Sequence, residues 1–475
     1  MPRRTKIVST LGPATDSPAV MEAIVRAGVD VVRLNFSHGT REEHQRRVDL
    51  VRSTSAKVGK DVGILGDLQG PKIRIEKFKD KKVTLKDGEP FTIDASLPDD
   101  GGDATRVGLT YKDLPKDVHV GDVLVLGDGE VTLRVGEVIG PRIVCTVETG
   151  GEVSDHKGIN RQGGGLSAGA LTDKDFQDIR LAAEFGVDYL AVSFPRDAKD
   201  IEQTRTLLHA AGSTAGIVAK IERAEAIKNL DEIIRASDAV MIARGDLAVE
   251  IGDAELPGVQ KHIIHRARDL NRTVITATQM MESMIHSPVP TRAEVLDVAN
   301  AVMDGTDAVM LSAETATGKY PVKTVEAMAR VCLGAERQRI TLRPRQRKDQ
   351  KFTKVDEAIA MAVMFTANHM DVKAIIALTE SGSTALWMSR ISSGIPIYAM
   401  TRHESTRRRV TLWRGVYPVA FDVMHKDPDH VLRDAGEELK RQKVVKDGDY
   451  VICTKGEFSG ITGGTNSMKI FRVGE

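Results

Sequence analysis

The stretch ILGDLQGPKIRI, residues 64–75, starts as a buried strand, breaks at Gly70-Pro71, and leaves Asp67 at the strand end with Gln69, Lys72 and Arg74 close behind. The rest of the chain repeats this pattern of an apolar strand ending in a polar or charged group. Short β-branched runs, each followed by a helical pattern, occur at KIVST (6–10), VDVVRLN (29–35), VGILGD (62–67), VDYLAVSF (187–194), GIVAKIE (216–222), AVMIARGD (239–246), TVITATQ (273–279) and DAVMLSAE (307–314). Such alternation is the signature of βα units and a parallel sheet. The segment DSPAVMEAIVRAG shows the helical half, with Ser17 as N-cap, Pro18 at the first helical position and Gly28 as the stop. Eight such units predict an α/β fold built on a closed (β/α)8 TIM barrel.

Residues 72–169 interrupt the alternation. KVTLKDGEPFTI and GDVLVLGDGEVTLRVGEVIGPRIVCTVE carry Asp-Gly and Gly-Asp turns every few residues, which predicts an inserted all-β lid domain, a small β-barrel. It leaves the main barrel after the third strand, at the face where barrel enzymes build their active sites, and so is placed to close over substrate. After the eighth unit, ERQRITLRPRQRKDQKFTK (336–354) is dense in Arg and Lys and reads as a solvated linker rather than a nucleic-acid tail. From about residue 355 an apolar-faced helix precedes the strands AIIALT, PIYAMT and YVICTKG, the pattern of a separate open α/β domain. The expected organisation is barrel 1–71 and 170–345, lid 72–169, and C-terminal α/β domain 346–475.

The 475 residues carry 67 Lys and Arg against 67 Asp and Glu, so no overall field draws the chain to nucleic acid or an anionic membrane. Cys145, Cys332 and Cys453 are odd in number and far apart, which fits buried thiols in a reducing cytoplasm rather than a disulfide framework or a zinc site. No stretch approaches the ~20 apolar residues of a membrane span.

Barrel interiors are packed with apolar side chains, so charged groups at the C-terminal strand ends point to chemistry. Here they are Arg33 and Asn35, Asp67, Lys220 and Glu222, Arg244 and Asp246, Thr276, Thr278 and Gln279, and Ser312 and Glu314, from six of the eight strands. Glu222 and Asp246 are hard oxygen ligands suited to Mg²⁺ or Mn²⁺, too few to complete an octahedron without substrate oxygens and water. Lys220, Arg33, Arg74 and Arg244 supply positive charge, some of them only to hold carboxylates in place. A carboxylate-bound divalent ion among fixed cations suits phosphoryl transfer, where charge spreads over several oxygens. The amides near Gly245 and Asp246 are placed to meet a substrate carboxylate. TATGKYP (315–321) lacks the first glycine of a nucleotide P-loop, and no GxGxxG opens a helix after a strand.

The motifs TKIVSTLGP, VVRLNFSHG, KIER, MIARGDLAVEI, TATQMMESMI and PTRAEVLDVANAVMDGTDAVMLSAETATGKYP together resemble the pyruvate kinase family along nearly the whole chain. The resemblance implies phosphoryl transfer from phosphoenolpyruvate to ADP, giving pyruvate and ATP. It implies Mg²⁺ on Glu222 and Asp246, with a second Mg²⁺ arriving on the nucleotide. Lys220 and Arg33 would face the phosphoryl group. Thr278, with the amides of Gly245 and Asp246, would hold the substrate carboxylate, and Thr278 would help deliver a proton to the enolate, with Ser312 as a relay. Arg33, Asn35, His38, Arg74 and Lys157 correspond to nucleotide contacts. In the C-terminal domain, Ser381, Gly382, Ser383 and Thr384 match the loop that binds a phosphorylated effector, and the wording resembles bacterial members activated by sugar monophosphates or AMP. Family members are commonly cytoplasmic homotetramers. Two other readings of the barrel are a Mg²⁺-dependent lyase or aldolase acting through a pyruvate enolate, and a non-catalytic effector-binding barrel.

The opening stretch departs from the family's usual pattern. Many members hold K⁺ with oxygens matching Asn35, Ser37, Asp67 and the main chain of Leu68, and carry Asp-Thr-Lys-Gly-Pro-Glu where this chain has Asp67-Leu68-Gln69-Gly70-Pro71-Lys72. Replacing the glutamate by Lys72 reverses the local charge. The resemblance is to the K⁺-independent branch, with the Lys72 ammonium substituting for the ion.

Overall fold

The computed structural model describes residues 2–127, 129–338, 341, 352–423, 430–456 and 463–475. Eight strands close a barrel: β1 (Lys6–Thr10), β2 (Val31–Asn35), β3 (Gly63–Asp67), β4 (Tyr189–Val192), β5 (Gly216–Ile221), β6 (Ala239–Ala243), β7 (Thr273–Ala277) and β8 (Ala308–Leu311). Each pairs in parallel with its neighbours in chain order, and β8 returns to β1. Most of the strands are buried throughout, as expected where helices cover the outside and side chains fill the inside. The first helix, Pro18–Ala27, is capped by Ser17, whose Oγ accepts from the Val20 amide, and ends where Gly28 donates to the carbonyls of Ile24 and Val25.

Side-chain alternation sorts each strand into two sets. Val8, Val31, Leu65, Tyr189, Ala191, Val218, Met241, Ile275, Ala277 and Met310 pack together inside the barrel, while Ile7, Val32, Ile64, Leu190, Ile217, Val274 and Val309 pack against the helices. The inner cluster continues into Val363, Met364, Ile375, Trp413 and Val416 of the C-terminal domain, so that domain plugs the barrel's base. Polar contacts reinforce the plug. Arg390 donates to Asp307 (Nη1 to Oδ2, 2.8 Å), Arg408 to Asp188 (2.8 Å) and Arg407 to Asp61 (3.1 Å).

The inserted strands form a six-stranded sheet, in the order 159–161, 123–126, 131–139, 142–149, 90–94 and 106–107, and a two-stranded ribbon of Gly151–Ser154 with Lys82–Leu85. Residues 73–76 bond both edges of the inserted sheet and so close it into a second, smaller ring: the Ile75 amide donates to the Lys157 carbonyl and the Ile159 amide to the Ile73 carbonyl (3.0 Å each), while the Glu76 and Thr110 amides donate to the Gly108 and Arg74 carbonyls (2.9 Å each). The chain enters this unit through Gly70, whose φ of 67° lies in the left-handed region; a Cβ there would stand 2.7 Å from the Ser193 Cβ. The C-terminal sheet is five-stranded, in the order 416–420, 397–401, 372–378, 450–456 and 465–472, with only the last strand antiparallel. Most of the basic linker segment, residues 342–351, lies outside the described residues. No described helix is long and apolar enough to cross a membrane.

Candidate active site

The charged groups expected at the mouth form one network. Arg33 on β2 donates to Asp67 at the end of β3 (Nε to Oδ2, 2.6 Å) and to Thr10 at the end of β1 (Nη1 to Oγ1, 3.2 Å). Lys220 on β5 lies 2.7 Å from Glu222 Oε1 and 3.5 Å from Asp67 Oδ1, and donates to Ser193 Oγ at 2.6 Å. Ser193 in turn donates to the Leu68 carbonyl at 2.7 Å. Thr10 and Ser193 were missed in the sequence reading, because a lone Thr or Ser at a strand end carries no signal of its own. The available signal was parity: both continue the inward-facing series of their strands, Val8 to Thr10 and Ala191 to Ser193. With them, groups from β1 and β4 join the mouth as well.

Burial works against the Lys220 charge, but Asp67 and Glu222 outweigh it and hold the ammonium above the ordinary lysine value. Burial raises the Glu222 carboxyl, with Lys220 opposing and Asp246 adding to the rise. Glu222 Oε2 accepts from the Phe194 amide at 2.9 Å. Glu222 Oε1 and Asp67 Oδ1 are buried oxygens without a hydrogen bond of good geometry. Lys72, at the lid's root, reaches Asp246 Oδ1 at 3.3 Å. The pairs therefore set three carboxylates (Asp67, Glu222, Asp246) against three cations (Arg33, Lys220, Lys72), and the protein groups alone present no net charge to an anionic substrate.

Four expectations are corrected by the structure. β6 stops at Ala243, and Arg244–Ile251 is a helix, so Gly245 and Asp246 stand in its first turn rather than on a strand. Thr276 has the outward parity of Val274; its hydroxyl donates to Thr306 Oγ1 at 2.9 Å and plays no part in the mouth. Glu314 caps its own loop, accepting from the amides of Ser312 (2.6 Å) and Met281 (3.2 Å). Arg244 also turns away from the mouth, toward Asp297 at 2.7 Å, and holds no carboxylate of the site.

A cavity of about 640 Å³ lies over the mouth, walled by Gly245, Asp246, Thr278 and Ser312 from the barrel and by Lys72 and Gln162 from the lid side. A Cβ at Gly245 would meet only Thr278 Oγ1, at 3.9 Å, so a ligand can approach this backbone closely. Arg33, Lys220 and Glu222 lie outside that lining, as do Asn35, His38, Arg74 and Lys157. Asn35 Oδ1 accepts from the Ser37 amide (3.1 Å), the His38 carbonyl meets His44 Nε2 (2.9 Å), Arg74 donates to the His156 carbonyl (2.8 Å), and Lys157 pairs with Glu130 (3.0 Å).

Family models now decide what the geometry belongs to. One described as pyruvate kinase, barrel domain, matches residues 2–325, and one described as pyruvate kinase, alpha/beta domain, matches residues 357–471. The chain belongs to the pyruvate kinase family. It is 56% identical to pyruvate kinase II of Salmonella typhimurium over 99% of both chains, and 54% identical to a pyruvate kinase of Haemophilus influenzae over 96% of both. A pyruvate kinase of Buchnera aphidicola is 52% identical over 99% of both. A lyase and a non-catalytic barrel fall away as readings of this site.

The pyruvate kinase family works with Mg²⁺, and the donor set fits such an ion. Glu222 Oε1 is a buried oxygen facing the Lys220 ammonium at 2.7 Å, Asp246 opens onto the cavity, and no third carboxylate or histidine among the described residues completes a metal cluster. Two hard oxygens with open positions are what a metal shared with substrate and water needs.

Glu250, four residues beyond Asp246, is buried where the chain returns from the lid. Its carbonyl accepts from the Gly163 amide (2.8 Å) and its Oε2 from the Ala224 amide (3.2 Å). Burial pushes its carboxyl up to about 7, from 4.5. Between those two values the native state binds more protons than the unfolded chain, so stability falls as pH rises through that window. The loss is at most on the order of 3 kcal/mol. Glu250→Gln is therefore expected to raise Tm at about pH 8 and to leave it nearly unchanged at about pH 4. Thermal melts of both proteins at both pH values check this; a lower Tm for the variant at the higher pH contradicts it.

Proposed function

We propose the following division of labour for the family's reaction, transfer of a phosphoryl group from phosphoenolpyruvate to ADP. Lys220 and Arg33 grip the transferring phosphoryl group, and Lys220 also neutralises the enolate left behind. Glu222 and Asp246 would hold a Mg²⁺ ion, which would supply Lewis-acid polarisation of substrate oxygens, and the nucleotide would bring a second. The Gly245–Asp246 backbone and Thr278 orient the substrate carboxylate. Thr278 delivers a proton to the enolate carbon, and Ser312 relays it. Asn35, His38, Arg74 and Lys157 take the nucleotide on the lid side. The observation that carries this reading is the Lys220 ammonium held at 2.7 Å from Glu222, whose carboxyl in turn feels Asp246 on the wall of the cavity that Thr278 also lines.

The Lys72 ammonium replaces K⁺ in this chain. The Asn35 side-chain oxygen and the Leu68 carbonyl already receive donors from Ser37 and Ser193, which supports a site that needs no monovalent ion. A phosphorylated effector, a sugar monophosphate or AMP, is held at Ser381–Thr384. Ser381 faces a cavity of about 430 Å³ shared with Arg402, His403 and Arg409, which favours an anionic ligand. The Thr384 hydroxyl is engaged with Thr465 at 2.7 Å, so that residue shapes the loop from beneath. The enzyme acts in the cytoplasm as a homotetramer.

A coupled assay of the purified protein tests this reading. Pyruvate should form from phosphoenolpyruvate only when both ADP and Mg²⁺ are present, and the half-saturating phosphoenolpyruvate concentration should fall with one member of a panel of sugar phosphates and AMP. Pyruvate formation without ADP overturns the catalytic part, and indifference to the whole panel overturns the regulatory part.

A further inference from the structure

Arg244 is buried, yet its guanidinium serves one short turn. Its Nε donates to the carbonyls of Ala277 (3.0 Å) and Thr278 (3.2 Å), and its Nη2 to the Thr278 carbonyl again (2.5 Å). Its Nη1 faces both Asp297 oxygens (2.7 and 2.8 Å) and Gln260 Oε1 (3.3 Å). The turn it holds is strained: Thr278 has φ of 66° and Gln279 of 53°, the left-handed region that a β-branched residue rarely enters.

Strand parity gives that strain a purpose. On β7, Ile275 and Ala277 pack inside the barrel and Val274 outside. A strand continued without a break would send Thr278 outward with Val274 and Thr276, away from the mouth. The left-handed φ instead returns it to the cavity, where its hydroxyl accepts from the Gly245 amide at 2.9 Å and donates to the Ala277 carbonyl at 2.7 Å. Arg244 and Gly245 thus grip Thr278 at both ends, the side chain of one on its carbonyl and the amide of the other on its hydroxyl. A rigid planar fork fixed by a carboxylate suits this task, because its donors cannot rotate independently.

We propose that Arg244, anchored by Asp297, is a positioning residue for proton delivery: it holds Thr278 in the left-handed conformation that presents the hydroxyl to substrate. This rests on the assignment of proton delivery to Thr278. Removing the fork lets residues 277–279 relax toward ordinary strand geometry, while Lys220, Glu222 and Asp246 keep their places. The loss should therefore fall on the enolate half of the reaction.

That half is isolated by following exchange of the pyruvate C3 protons with D2O by NMR, in the presence of Mg²⁺ and inorganic phosphate. Arg244→Ala should slow exchange about a hundredfold, the scale of a misplaced catalytic group, with KM for ADP nearly unchanged. Millimolar guanidinium should restore part of the rate. In a Thr278→Ala background, itself slow, the same substitution should add less than about threefold, since the two residues act through one another. Should Arg244→Ala not fold, as judged by its thermal melt, Asp297→Asn and Arg244→Lys carry the test, each expected to give a smaller loss that likewise vanishes in the Thr278→Ala background. Equal losses with and without Thr278, or no loss when Thr278 is present, overturn the positioning role alone. Undiminished exchange in Thr278→Ala overturns the assignment beneath it.

Discussion

Lys220→Met is expected to lower kcat by about 10³- to 10⁵-fold, the range seen when a cation facing a transferring phosphoryl group is removed. Lys220 stands between two buried carboxylates, 2.7 Å from Glu222 and 3.5 Å from Asp67, with its ammonium position set by Ser193 at 2.6 Å. The same neighbours hold it charged above the ordinary lysine range. Its ammonium is therefore expected to stay charged at neutral pH. Methionine fills similar space without the charge, and leaves Glu222 less compensated. Mg²⁺ or Mn²⁺ affinity should consequently hold or rise as kcat collapses. Steady-state kinetics together with Mn²⁺ titration by electron paramagnetic resonance make the comparison. A variant that loses metal binding in proportion to rate would assign Lys220 to the metal site rather than to the phosphoryl group.

The proposed replacement of K⁺ by the Lys72 ammonium predicts that Lys72→Glu creates a dependence on K⁺. The Lys72 ammonium lies 3.3 Å from Asp246, so glutamate would set like charges together beside the metal carboxylates. A unit charge about 4 Å from another is worth roughly 4 kcal/mol at an effective dielectric of 20. At ~1.4 kcal/mol per tenfold, the change approaches a thousandfold in rate, somewhat less because the side chain is partly solvated. In tetramethylammonium or Tris salts the wild type should run at full rate and the variant near that deficit. Adding K⁺ should recover much of the loss by restoring a cation between the carboxylates. Strong stimulation of the wild type by K⁺ would sink the proposal. Lys72 pairs with Asp246, so its proposed role as an ion substitute is tied to the metal carboxylates.

The barrel was legible because it is redundant. Eight apolar runs of similar length, most of them followed by a helical segment, leave few topologies that bury them all. Asp67, Lys220 and Glu222 were legible for a related reason, since a charge at the end of an apolar strand has few explanations. Thr10 and Ser193 escaped notice because a hydroxyl is ordinary anywhere. Thr276 was wrongly included because proximity to a strand end was weighed above parity. The lid's strands were legible but their order was not, since turns at regular spacing specify strands and leave sheet order open.

What this chain's sequence determined by itself is the set of local choices: where strands and helices begin, which residues are apolar, and which charged groups stand at strand ends. Periodicity, capping and turn chemistry act within a few residues of one another, so they can be read along the line. The tertiary structure alone decided the pairings of those charges. It set Lys72 against Asp246 across 174 positions, closed the barrel's base with the C-terminal core, and turned Arg244 from an expected substrate cation into the clamp on Thr278. Those outcomes depend on strand register, on side-chain parity and on one left-handed backbone turn. None of the three has a local cause, because each arises only when distant segments compete for the same buried space.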